Sequence, residues 1–187
     1  SVARIYCPHG GSLHYDPATR SGRLFFRIED FMERLTDAFI FVSQYEADTY
    51  ASKVGAPRKP WRIVPNGIRD EEFDPIETLP GAADFLYIGM MRDLKGTDVF
   101  IDALARLRDR RGIAPTAELV GDGPDKARYE AQVQRLGLDR TTRIHPAMAT
   151  RTAFAMAKVV VVPSRAESMP YVVLEAAAAA RPIVATR

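Results

Sequence analysis

The chain has 187 residues, enough for one ordinary domain or two small ones with a hydrophobic core, which excludes fibrous and disordered classes. Apolar residues make up 47% and charged residues 27%, and the 26 basic against 24 acidic side chains leave a net charge of +2, so no broad field attracts nucleic acid and any bound anion must be gripped locally. A single cysteine, Cys7, excludes an intrachain disulfide framework and a Cys-cluster metal site, and the expected compartment is a reducing one, the cytoplasm. The longest apolar runs, 159–162 and 171–180 with Glu175 inside it, fall short of the ~20 residues of a transmembrane segment. The start, Ser1-Val2-Ala3-Arg4-Ile5-Tyr6, lacks the features of a signal peptide and an initiator Met, so the chain is expected to be an excised piece.

No repeat of solenoid period is present, and short β-branched runs alternate with amphipathic stretches, the pattern of parallel βα units. The first unit is predicted as a strand over 3–7, a Gly-rich turn at Pro8-His9-Gly10-Gly11-Ser12, a polar loop, and a helix over about 24–35. A second strand over 38–42 ends at Ser43, and Ser43-Gln44-Tyr45-Glu46 has capping-box spacing for a helix reaching about Lys53. Residues 56–82, rich in proline and irregular, are expected to be a crossing between two domains, with 1–55 as the tail of the first and 83–187 as the second. In the second part the predicted order is strand 85–89, helix 97–110, strand 117–120, helix 125–136 and strand 142–145. A short helix 151–157, strand 159–162, helix 171–179 and strand 183–185 follow. Runs such as Val159-Val160-Val161-Val162 are apolar on both faces, which fits a parallel α/β sheet covered by helices on both sides. Such sheets bind ligands beyond their strand carboxyl ends, so the polar motifs are expected along one rim.

Glu167 and Glu175 flank Pro170, which suits a first helical turn; Glu167 then lies in a loop and Glu175 about one turn inside the helix. Both carboxylates are expected to face one cleft, where they suit vicinal hydroxyls of a sugar or ribose while the helix-start amides favour a phosphate. A surface glutamate is the competing reading, weakened for Glu175 by its place between Val172-Val173-Leu174 and a run of alanines. Lys95-Gly96 stands between a strand and a helix, where the ammonium reaches a phosphate over the helix start, and Arg92 adds a second charge; solvated loop cations are the alternative. Gly121-Asp122-Gly123-Pro124 joins another strand to a helix, which is also ordinary turn chemistry. His9 lies in the Gly-rich turn, placed to meet a ligand or merely exposed, and the 3 histidines show no metal-ligand spacing. His14 and His145 read on their own as structural or solvent-facing. Ser43 reads as a helix cap, with no nucleophile elbow around it. No P-loop or dinucleotide fingerprint is present.

Taken together, Val64-Pro65-Asn66-Gly67-Ile68 with Phe73 and Pro75, Gly89 with Lys95-Gly96, Leu119-Val120-Gly121-Asp122-Gly123-Pro124, and Pro163-Ser164 with Glu167 and Glu175 resemble family 4 glycosyltransferases in order and spacing. Pro8-His9-Gly10-Gly11-Ser12 and 37–43 are similar to the closing units of that family's N-terminal domain. The resemblance implies a GT-B architecture, two Rossmann-like domains, with a nucleotide sugar held mainly by the second and no metal or other cofactor. It implies Glu175 on the ribose hydroxyls, Glu167 on the donor sugar, Lys95 on the diphosphate with Gly89 and Arg92 beside it, and His9 approaching the sugar from the first domain. It also places the Gly121-Asp122 and Ile144-His145-Pro146 loops toward the base and Ser168 and Met169 along the donor. The implied reaction is retaining hexosyl transfer, by front-face attack, from a nucleoside-diphosphate sugar to a carbohydrate or lipid-linked acceptor, plausibly in bacterial surface-polysaccharide assembly. A non-catalytic nucleotide-sugar-binding fragment that needs a partner is the second reading. Three positions depart from the pattern: Met90 where arginine is common, and Ser168 and Ala180 where glycine is usual. The family's earlier N-terminal units and closing C-terminal helices are absent, so the chain is expected to be an internal fragment prone to self-association through exposed edges.

Overall fold

The computed structural model describes residues 2–186 and divides into two compact units. The first comprises residues up to Gly67 together with Ala166–Pro170, and the second comprises Ile68–Arg165 and the chain from Tyr171 onward.

In the first unit, β1 (Ile5–Tyr6), β2 (Ala38–Phe41) and β3 (Trp61–Ile63) form a parallel sheet in the order β1-β2-β3. The third strand is a correction to the sequence expectation, which gave 56–82 no regular structure and made it a crossing. Trp61-Arg62-Ile63 is brief and follows Pro60, yet it pairs in register with Phe39-Ile40-Phe41 and belongs to this sheet. Helix α1 (Arg20–Glu33) starts earlier than predicted because Thr19 caps it, its Oγ1 accepting from the amide of Gly22 at 3.0 Å. Helix α2 (Gln44–Lys53) starts after Ser43, as the capping residues predict. Phe39, Phe41 and Tyr50 pack ring against ring with Leu13 and Ala47 to make this unit's core.

The second unit is a five-stranded parallel sheet in the order β6-β5-β4-β7-β8, built from β4 (Ala83–Ile88), β5 (Ala117–Val120), β6 (Thr142–His145), β7 (Ala157–Val162) and β8 (Ile183–Ala185). Its helices are α3 (Thr97–Arg111), α4 (Lys126–Arg135), α5 (Thr150–Ala155) and α6 (Tyr171–Ala178). Alternate residues of one strand serve opposite faces: Tyr87 and Leu119 join Phe100, Ile101, Leu104, Tyr129 and Val133 of α3 and α4. Leu86, Val120 and Val160 join Phe154 of α5 and Ala176 of α6. The central strand β7 therefore reads as an apolar run over Val159–Val162, and burying each large side chain contributes about 1.5–3 kcal/mol. The chain leaves β4 to build β5 and β6 on one side and crosses to β7 and β8 on the other, so the switch point lies between β4 and β7.

After α6 the chain turns at Ala180, whose φ of 55° puts an alanine in the left-handed region at an exposed C-terminal helix end. Arg181 then fixes the turn through bonds to the carbonyls of Ile76 at 3.1 Å and Lys158 at 3.0 Å. Ala180→Gly removes the strain and leaves these bonds in place, so it is expected to stabilise the chain by about 1 kcal/mol and raise Tm by roughly 2–4 °C. Paired thermal melts of the two proteins check this.

Candidate functional site

Sequence-predicted site residues of the second unit occupy the loops that follow β4 and β5 and the helix that follows β7, while His145, expected from the resemblance in a loop, is the last residue of strand β6, held there by its pairing with Val120. After β4 the backbone runs through Gly89 and Met90 to Arg92, makes a 3-10 turn over Asp93–Lys95, and enters α3 at Gly96. Gly96 has φ 65°, and a Cβ there would lie 2.0 Å from the carbonyl oxygen of Pro163 at the end of β7. Lys95 is thereby carried at the switch point, two residues before a 15-residue helix whose N-terminal amides favour an anion. Arg92 precedes the same turn, and its Nε is buried with no hydrogen-bond partner among the described residues. An unpaired guanidinium nitrogen is costly to bury and is a ready donor to an incoming oxyanion.

The loop after β5 is fastened to this one by backbone bonds. The Met91 amide donates to the Asp122 carbonyl at 2.8 Å, and the Asp125 amide donates to the Met91 carbonyl at 3.0 Å. The Asp93 amide donates to Asp125 Oδ2 at 2.8 Å. Asp122 itself is exposed, with Oδ1 accepting from the Gly123 amide at 2.9 Å. Across the ladder the Gly121 amide donates to the His145 carbonyl at 3.1 Å. The imidazole of His145 turns to Glu118, 2.6 Å from Oε2, and Arg143 meets the other oxygen of that carboxylate at 3.3 Å. Glu118 is a buried acid in an otherwise apolar strand, and its two basic neighbours on the edge strand are what make its burial tolerable.

Sequence reasoning missed the clamp on this rim. Arg165 grips Asp98 of α3 with two bonds, of 2.9 and 2.6 Å, while its own amide donates to the Leu94 carbonyl at 2.9 Å. The start of the loop after β7 is thus pinned to the turn that carries Lys95. The guanidinium holds the Asp98 carboxyl below the usual aspartate range.

Glu175 lies within α6, where Glu72, Arg69 and Thr150 surround it. Burial first, and then the neighbouring carboxylate of Glu72, raise its pKa above the ordinary glutamate value, against the opposing pull of a Thr150 hydrogen bond and of Arg69. Arg69 is itself paired with Glu72 at 2.9 Å. The competing reading of Glu175 as a surface glutamate fails, because it is half-buried among charged partners.

The remaining predicted residues, His9, Glu167, Ser168 and Met169, belong to the first unit. Glu167 lies in the loop that leads into α6 and Glu175 about one turn inside that helix, as expected, although the loop residues 166–170 group with the first unit. The 166–170 loop is held by Ser43 Oγ, which donates to the Ser168 carbonyl at 3.0 Å, and by Asn66 Nδ2, which donates to the Met169 carbonyl at 2.9 Å. Asn66 is the asparagine of the Val-Pro-Asn-Gly motif, and anchoring Met169 is a role the sequence did not reveal. His9 is exposed with φ 47°, next to Gly10, whose missing Cβ leaves room for Ser168 Oγ 3.0 Å away. His14 is exposed and bonds the Gly11 carbonyl at 2.7 Å, in keeping with its structural reading. Among the described residues no group of three or more His, Cys, Asp or Glu gathers as a metal site, and no helix is long and apolar enough to cross a membrane.

Because the Asp98 carboxyl is depressed, its ionised form adds stability that is complete above the unfolded value near 3.9 and is lost as pH falls through the lower folded value. Asp98→Asn is expected to cost about 1 kcal/mol at pH 7, a partly solvated pair contributing no more, and the gap from wild type should close below about pH 4. Urea melts of both proteins across pH 3–7 read it.

Comparison with known proteins gives the family and the fold. A family profile described as "Glycosyl transferases group 1" matches residues 82–187, and one described as "Glycosyltransferase Family 4" matches residues 1–72. A D-inositol 3-phosphate glycosyltransferase of Arthrobacter sp. (strain FB24) is 32% identical over 157 residues, which are 81% of this chain and 37% of that protein. The chain thus spans well under half the length of that relative. Among solved structures, HepE of Anabaena in complex with UDP and glucose superposes with a TM-score of 0.77 at 21% identity, over 98% of this chain and 52% of that one. Sucrose-phosphate synthase from Thermosynechococcus elongatus gives a TM-score of 0.79 at 23% identity, over 97% and 49%. These structures share the GT-B fold, parallel sheets flanked by helices, and with the profile covering the whole second unit beyond Ala82 the chain belongs to the group 1 glycosyl transferases.

Proposed function

We propose that the chain carries the donor half of a retaining hexosyltransferase that takes a nucleoside-diphosphate sugar. The observation that carries this reading is the pair Arg92 and Lys95, held ahead of the α3 N-terminus at the β4–β7 switch point, with Arg92 Nε buried and unpaired. Two cations and a helix start suit a diphosphate, whose negative charge grows as the glycosidic bond breaks, and fixed positive charge stabilises that departure. Glu175 accepts the ribose hydroxyls, Glu167 the sugar hydroxyls, and His9 approaches the sugar. The Gly121-Asp122 turn and the His145 loop line the base, with Gly89, Ser168 and Met169 beside the donor. No protein base is required, since the departing phosphate oxygen takes the proton of the acceptor hydroxyl on the same face. Positive side chains do the electrostatic work, so activity without a metal ion is part of the proposal.

The complex of HepE with UDP and glucose makes UDP-glucose the first donor to test. The curated relatives' name, D-inositol 3-phosphate glycosyltransferase, points to a polyol acceptor as readily as to a carbohydrate or lipid-linked one in surface-polysaccharide assembly. Cytoplasmic placement fits a soluble nucleotide donor. A second reading is donor binding without transfer.

Calorimetric titration with UDP, GDP and ADP is expected to show one diphosphate binding. Lys95→Ala and Arg92→Ala each weaken it about tenfold. Glu175→Ala loses a charge-assisted bond of about 1.5–3 kcal/mol, roughly 10- to 150-fold in Kd. Unchanged affinity in all three variants would refute the site, and binding without turnover of the sugar nucleotide would select the second reading.

The raised pKa of Glu175 sets the acid limb. Ribose binding needs the ionised form, which is lost at a higher pH than for an ordinary glutamate, so wild-type affinity for the bound diphosphate should fall as pH drops toward 5. In Glu175→Gln that fall should be flattened, as titrations at pH 5 and 7 would show.

A further inference from the structure

Glu46 is fully buried in the first unit, at 0% exposure, and the chemistry above makes no use of it. A carboxylate so placed is unfavourable unless its oxygens are filled. Both are filled by main-chain donors: the Gly10 amide donates to Oε1 at 2.6 Å and the Val42 amide to Oε2 at 2.8 Å. Capping-box spacing predicts a different partner, the amide of Ser43. Half of that box forms, since the Glu46 amide donates to Ser43 Oγ at 3.1 Å, but the carboxylate instead bridges the end of β2 and the turn after β1.

That turn holds His9 at φ 47°, a conformation a non-glycine residue keeps only where its surroundings enforce it. The enforcing bonds are the one from Gly10 to Glu46 and the Gly11 amide donating to the Pro8 carbonyl at 2.9 Å. The same first turn of α2 fixes the 166–170 loop, through Ser43 Oγ on the Ser168 carbonyl. The first turn of α2, through Ser43 and the buried Glu46, therefore anchors both the His9 turn and the loop that carries Glu167.

We propose that Glu46 is a positioning residue of the transferase site: its carboxylate, shared between the Gly10 and Val42 amides, fixes the left-handed backbone of His9 and so the direction in which the imidazole is presented to the sugar. The inference rests on the reading of His9 as a sugar-facing group. Glu46→Gln is the informative variant, because it keeps size and one acceptor oxygen but turns an NH2 group toward the other amide.

The test uses the isotope-labelled chain as wild type, Glu46→Gln, His9→Ala and the double variant, with UDP and UDP-glucose as probes. The expected result is UDP affinity within twofold of wild type in every variant. The Gly10 amide and His9 ring resonances should move in Glu46→Gln, and the His9 response to UDP-glucose should be lost. Sugar-nucleotide turnover should fall 10- to 100-fold in each single variant and no further in the double, as for residues acting through one group. Losses that multiply in the double variant, a His9 signal unmoved by Glu46→Gln, or a wild-type His9 indifferent to bound UDP-glucose would each overturn it. Failure of the wild type to bind UDP defeats the donor-site reading instead, and the Gly10 and His9 resonances still decide the anchoring. Should Glu46→Gln not fold, exchange of the wild-type Gly10 amide decides: at least 100-fold protection is expected, and exchange at the unprotected rate refutes the anchor.

Discussion

Backbone is packed directly on backbone at the rim of the second sheet, and the geometry of the loop that carries Arg92 and Lys95 depends on that contact. A Cβ on Gly121 would sit 1.9 Å from the carbonyl oxygen of Gly89, and one on Gly96 would sit 2.0 Å from that of Pro163. The loops leaving β4 and β5 and the end of β7 are thus brought closer than any side chain would permit. With no side-chain layer to slide or repack, the loops are fixed relative to one another by hydrogen bonds such as that between the Met91 amide and the Asp122 carbonyl. The glycines of Gly-Asp-Gly-Pro are explained by this packing before any ligand is considered.

The electrostatics follow from that rigidity. Arg92 and Lys95 stand at the two ends of one short turn, so the fold places two basic side chains close together in sequence at the rim. The neighbouring arginine, Arg165, is neutralised by Asp98, and Asp93 pairs with Arg128 at 3.4 Å, so the structural charges of the rim are matched within the fold. Arg92 differs in leaving a buried nitrogen unmatched. A site with preset positive charge loses little reorganisation energy when a diphosphate arrives, which is the condition for electrostatic stabilisation of a leaving group.

Much of the second unit was legible in the sequence because its short strands alternate with amphipathic helices: 117–120, 142–145 and 183–185 were predicted residue for residue. The first unit was harder. Trp61–Ile63 is too brief to show alternation and lies among prolines, so only its pairing with β2 reveals it. For the site, order and spacing located the loops, while side-chain partners stayed hidden. Glu118 was not singled out in the sequence, and its partners His145 and Arg143 lie 25 or more positions further on, where nothing local names them. The Ser43–Glu46 spacing correctly started α2, yet the same glutamate served a non-local amide that propensity cannot see.

Positions that depart from the family pattern show how a fold absorbs change. Ser168 stands where glycine is usual, and its hydroxyl occupies the space that a side chain at Gly10 would need, so one glycine supplies the room another no longer gives. Met90, where arginine is common, is exposed, and its carbonyl accepts from Tyr87 Oη at 2.9 Å, which keeps the backbone course while removing a charge. Ala180 has no such compensation: the backbone keeps a left-handed φ of 55° with a Cβ attached. Local packing around the proposed ligand loops has been adjusted, whereas a distant helix end simply carries strain. The loop backbone is therefore under tighter geometric control than the helix terminus, and that control is exerted through main-chain contacts that hold only while glycine stands at positions 96 and 121.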